Sequence, residues 1–172
     1  MRSGRLLKAI VPIVAGTRLA PHIALPAYSY VPGVQPHPLR DPDGHGGVPP
    51  DLHVDTVWRW GVDCFQHRYY WEAHEAWEVI WRGLTRGEPA AEGVQGLIGA
   101  AAFVLKRHMG HPAPRLYGAM TRRLSMTGVV GGVDASLTLE RVHAFARGGD
   151  WPTLGLRPPV LAPRSTTRSG GS

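Results

Sequence analysis

From Asp51 onward, apolar residues recur at steps of three and four, and glycine or proline closes most of the runs. That spacing puts them on one face of a helix at about 100° per residue, so this part of the chain is constrained to fold as helices. Val54, Val57, Gly61, Cys64 and Phe65 mark a first helix that Asp51 can cap. A second runs from about Tyr70 to Leu84 and stops near Gly87. Pro89 suits the first turn of a third, where its missing N–H costs nothing. That helix carries Val94, Leu97, Ile98, Ala101 and Leu105, and its Gly96, Gly99 and Ala100 let another helix approach closely. A fourth spans about Ala113 to Met126. The glycine-rich stretch Thr127 to Val133 breaks the chain before a fifth, which Asp134 or Ser136 can cap and which ends at Gly148-Gly149. No strand pair or repeat competes. The expectation is an all-α fold, a small helical bundle of about five helices preceded by a Pro/Gly-rich extended N-terminal segment.

That segment covers residues 1–50, the bundle 51–150, and a largely disordered C-terminal tail 151–172. Between residues 20 and 50 stand Pro21, Pro26, Pro32, Pro36, Pro38, Pro42, Pro49 and Pro50, which fix φ and disfavour helix in the residues before them. Leu25, Tyr28, Tyr30, Val31 and Leu39 give the segment something to bury, so it is expected to lie across the domain surface.

The formal net charge is +6, but residues 51–133 carry nine Lys/Arg against eight Asp/Glu. The excess sits in the flanks rather than on one helix face, which argues against a nucleic-acid partner. Leu6 to Ala15 is apolar but short and broken by Pro12, so no membrane span is expected. Arg2, Arg5 and Lys8 ahead of it make only a faint signal-peptide pattern with no clear cleavage site. The lone Cys64 excludes an internal disulfide and fits a reducing, cytoplasmic setting.

The chemistry concentrates in Tyr70-Trp71-Glu72-Ala73-His74-Glu75-Ala76-Trp77-Glu78-Val79-Ile80-Trp81. His74 and Glu78 lie one helical turn apart, with Trp81 about 20° round the helix from His74. The string departs from the zinc-protease helix, because Glu78 stands where its second histidine belongs. His74 and Glu78 can still supply two ligands to a divalent metal ion, with His37, His45 or His108 as further candidates and His67 or His111 as others. In a metal-assisted hydrolysis Glu75 or Glu72 would be the general base. Without metal, His74 can exchange protons itself. The structural alternative is a buried polar pair in which His74 donates to Glu78 or Gln95. Trp71, Trp81 and Gln95 then complete a polar pocket or simply the core. Phosphate-cradling glycine loops, dinucleotide fingerprints and nucleophile elbows are absent.

The arrangement H-x-x-x-E-x-x-W at His74, Glu78 and Trp81, with Phe65, the Tyr70 to Ala73 lead-in, and Gln95-Gly96-Leu97-Ile98 opening an alanine-rich helix, resembles the bacterial and archaeal family called domain of unknown function 309. The likeness spans about residues 60–148. It implies an all-α bundle with His74, Glu78 and Trp81 on the signature positions, where metal binding has been suggested without an established activity. Gly99 departs from the pattern, standing where a longer polar residue is expected. The resulting functional expectation is a cytoplasmic bundle protein with a metal-binding or hydrolytic pocket, acting on a small molecule or protein partner, with self-association left open. The rival is a non-catalytic interaction module whose His–Glu pair is scaffolding.

Overall fold

The computed structural model describes residues 17–42 and 44–157. Five α-helices dominate it: α1 (Val54–Gln66), α2 (Tyr70–Arg82), α3 (Pro89–His108), α4 (Pro114–Ser125) and α5 (Ala135–Ala146). The apolar run at 6–15, with the basic residues before it, and the tail beyond residue 157 lie outside the described residues.

Successive helices from α1 to α4 pack pairwise, and α5 returns against α3 and α4. The indoles of Trp58, Trp60 and Trp77 are fully buried with Phe65, Leu97, Met120 and Leu124. Trp77 stacks on Phe65 at 5.8 Å between centroids and lies 5.9 Å from Trp58, fastening α2 to α1. Burying aromatic surfaces of this size stabilises the interface strongly. The small residues of α3 do what their size allows. A Cβ on Gly96 would sit 2.7 Å from Leu124 Cδ2, so glycine is what brings α4 this close.

Two features differ from the sequence expectation. Asp51 does not cap α1: it sits in a turn at φ +58, and His53 is the N-cap, its Nδ1 accepting from Asp55 N at 3.4 Å. Aspartate tolerates the left-handed region, and the turn it makes there sets the helix start back to Val54. The fold also contains a small sheet, although no strand pair was expected. Strands β1 (Val129–Val130) and β2 (Val133–Asp134) pair antiparallel across Gly131-Gly132, and β2 pairs with β3 (Gly155–Leu156). Gly131 and Gly132 have φ of +54 and +82, the conformation that two-residue hairpin turns demand. Trp58 also donates its indole N–H to Gly131 O at 3.0 Å. Asp134 then caps α5, accepting from Leu137 N at 3.1 Å. That bond, reinforced by Arg157, holds its carboxyl below the usual range.

Residues 151–157, assigned from sequence to the tail, are packed. Leu154 is buried, its N–H donating to Gln66 Oε1 at 2.7 Å, and Trp151 stacks on Tyr70. Burial of Leu154 and packing of Trp151 add to the β2–β3 pairing and the Gln66 hydrogen bond in holding these residues in place.

The described part of the N-terminal segment is irregular and lies on α1 and α2. Leu19 N and Ala20 N donate to Asp63 at 2.7 and 2.9 Å, and Trp60 Nε1 donates to Ala24 O at 3.2 Å. Ser29 Oγ donates to Arg68 O at 2.9 Å. No helix among the described residues is long and apolar enough to cross a membrane.

Candidate functional site on the second helix

Helix α2 carries two adjoining clusters. At about 100° per residue, Trp71, His74, Glu75, Glu78 and Arg82 share an arc of about 100° on one side of the helix. Ala73, Ala76, Trp77 and Ile80 face the core.

The first cluster is open to solvent. His74 Nδ1 lies 3.2 Å from Glu75 Oε1, and its Nε2 lies 3.7 Å from Glu78 Oε1. The three side chains keep between 27% and 30% of their surface exposed, so this is not a buried pair. Arg82 donates to Glu78 Oε2 at 2.6 Å, an exposed i,i+4 pair worth about 0.3–0.5 kcal/mol. Trp81 is half-buried beside them, with the Arg86 guanidinium 5.4 Å above its ring. Gln95 is half-buried on α3, and no hydrogen bond joins it to His74.

The second cluster is closed. Glu72, in the first turn of α2, is fully buried because the N-terminal segment lies over it. Its Oε1 accepts from Tyr30 N at 2.8 Å and contacts His45 Nε2 at 3.0 Å. Gly47 N donates to His45 Nδ1 at 3.2 Å. Nδ1 is thus an acceptor, which puts the ring proton on Nε2, where it donates to Glu72. Burial pushes the Glu72 carboxyl up to about 7; the Tyr30 N–H opposes this and Glu75 adds to it. Burial also lowers His45, against the pull of its backbone bond. Both shifts favour the neutral forms, so the contact leans towards a neutral hydrogen-bonded pair rather than a salt bridge. Glu72 Oε2 has no partner.

Around this pair the rings converge on Trp71. Tyr30 lies 5.1 Å, His37 5.6 Å and His45 6.0 Å from it, and Tyr28 lies 4.9 Å from His45. His37 and His45 thus pack against Trp71 rather than joining His74. His108 is elsewhere, its ring edge-on to Trp151 at 5.0 Å. His67 and His111 are exposed. Among the described residues no three His, Cys, Asp or Glu side chains group as a metal site. Cys64 is buried, and burial together with Glu72 and Asp63 pushes its thiol well up, so it is a poor nucleophile.

The spacing of α2 brought out His74, Glu75, Glu78 and Trp81. It named Glu72 and His45 separately but not their pairing, and it missed Asp63, the anchor of residues 18–20. The only local signal for Asp63 is an acid among apolar neighbours, Gly61-Val62-Asp63-Cys64-Phe65.

No curated protein and no solved structure matches the chain. The model of the family described as Domain of unknown function (DUF309) matches residues 58–114, from the middle of α1 through α2 and α3 to the start of α4. Residues 58–114 are therefore similar to that family, and the matched stretch includes the helix that carries the open cluster at His74, Glu78 and Trp81.

Proposed function

We propose that the open face of α2 is a metal-independent acid–base site acting on a small polar ligand. One observation carries this reading: the two nitrogens of His74 each face a carboxylate, Glu75 at 3.2 Å and Glu78 at 3.7 Å. A carboxylate on Nδ1 fixes the tautomer that leaves Nε2 as the proton acceptor. Glu75 is then the positioning residue, His74 exchanges the proton, and Glu78 offers an acceptor to a ligand N–H or O–H. Metal-assisted hydrolysis finds less support. His74 and Glu78 are two donors where a catalytic zinc takes three from protein, and Arg82 already engages Glu78.

Glu78's engagement by Arg82 also supports the rival, a non-catalytic module in which the same face contacts a protein partner. The test is hydrolysis of p-nitrophenyl acetate and p-nitrophenyl phosphate, with chelator present, by the wild type, His74→Gln and Glu75→Gln. Acid–base chemistry is expected to give a rate that His74→Gln lowers by about 10²-fold or more. A rate indistinguishable between wild type and His74→Gln would sink the reading and favour the interaction module. A rate that returns only with added zinc or manganese would restore the metal reading.

A further inference from the structure

A separate feature lies at the far end of α3. Its last turn carries Lys106, Arg107 and His108, and the chain leaving α5 runs beside it through Gly148 and Gly149 to Trp151. Between them is a cavity of about 330 Å³ lined by Arg107, His108, Phe145, Gly148, Gly149 and Trp151. No carboxylate lines it, and Arg107 has no ion-pair partner among the described residues.

The walls are flat and aromatic. Trp151 lies 5.3 Å from Phe145 and 5.0 Å from His108, and the Arg68 guanidinium sits 5.4 Å over the indole. Gly148 adopts φ +93, and a Cβ there would meet nothing within 4 Å, so the rim is open on that side. A basic last turn is commonly just a favourable match to the helix dipole. That explanation accounts for the charges but not for a cavity with aromatic walls. The neighbouring cavity of about 390 Å³ makes a useful contrast: Glu140 and Arg147 both line it, so its charge does not select a sign.

We infer that the cavity between the end of α3 and the chain after α5 binds a small aromatic anion, such as an aryl phosphate or aryl carboxylate. The ring lies against Phe145 and Trp151, and the anionic group faces Arg107 and His108. Guanidinium suits this role because its fork of N–H donors matches phosphate and carboxylate oxygens. The volume falls at the small end of ligand pockets, which suits one ring and one charged group.

The test is a titration of the ¹⁵N-labelled full chain with phenyl phosphate, followed by amide shifts and repeated with inorganic phosphate and with phenol. Saturable shifts confined to residues 145–151 and the end of α3 are expected. Phenyl phosphate is expected to bind at least about tenfold tighter than either fragment. Arg107→Gln is expected to weaken it by about tenfold or more with the melting temperature unchanged, since Arg107 is exposed and unpaired. Absence of saturable shifts, binding insensitive to Arg107→Gln, or equal binding of inorganic phosphate would each overturn the inference.

Discussion

His45 donates its Nε2–H to Glu72 Oε1 across 3.0 Å, tying a proline- and glycine-rich segment to the first turn of a helix 27 positions further along the chain. Both groups are displaced towards their neutral forms by burial, Glu72 upward to about 7 and His45 downward. On the acid side of about pH 7 the contact therefore holds the segment without burying a carboxylate charge, which would be far more costly.

Glu72 makes stability fall as pH rises. Below its unfolded value, 4.5, the carboxyl is protonated in both states and no penalty exists. Between 4.5 and about 7 the unfolded chain releases the proton that the folded one retains, so stability is lost across that window. The full difference is about 3 kcal/mol. His45, lowered from 6.5, works in the opposite direction: its contribution is lost as pH falls below that value. Glu72→Gln separates the two, because the amide cannot ionise. Relative to wild type, the variant is expected to gain roughly 5–10 °C in melting temperature between pH 5 and pH 8. A difference independent of pH would mean that Glu72 titrates normally.

Asp63 anchors the other end of the segment. It is 2% exposed and accepts from two backbone N–H groups, with the Arg18 guanidinium 3.4 Å away. Asp63→Ala leaves both donors unpaired and is expected to cost about 2–4 kcal/mol. The loss should be concentrated in the segment. Trypsin cleavage after Arg40 should accelerate in Asp63→Ala and in Trp71→Ala, while the bundle's far-ultraviolet dichroism persists. Unchanged cleavage in both variants would show that the segment is held by other contacts.

What was legible in the sequence follows from the range of the interactions involved. The α2 face could be read because His74, Glu75, Glu78 and Trp81 are neighbours through one helix's geometry. Pro89 opening α3 and Asp134 capping α5 are likewise local chemistry. The β1–β2 hairpin was missed although Val129-Val130, Gly131-Gly132 and Val133-Asp134 form the two-residue turn pattern, because strands of two residues give no alternation to notice. The Glu72–His45 pair and the Asp63 anchor were not legible. Both depend on the path of residues 18–50, where prolines forbid regular structure and so remove the periodicity from which facing residues are inferred.

His74→Gln separates a working site from scaffolding. The imidazole is about a quarter exposed and its contacts are on the surface, so the substitution should change stability by no more than about 0.5 kcal/mol. A melting temperature within about 2 °C of wild type is expected, alongside loss of any ligand response at α2. A drop beyond about 5 °C would place His74 among the structural residues instead.

Two glycine substitutions test the packing between α1 and α2 against intrinsic helix propensity. Gly118 lies on the exposed side of α4, and a Cβ there meets nothing within 4 Å. Gly118→Ala should therefore stabilise by up to about 1 kcal/mol, the ordinary gain of alanine over glycine within a helix. Gly61 is also helical, but its added Cβ would lie 2.7 Å from Trp77 Nε1 and 3.1 Å from Ala76 Cβ. Trp77 is fully buried and stacked on Phe65, so it cannot swing aside. The overpacking cost of about 1–3 kcal/mol then outweighs the propensity gain, and Gly61→Ala is expected to destabilise. Thermal melts of the two variants should move in opposite directions. If both rise, the α1–α2 interface has slack that these distances do not allow.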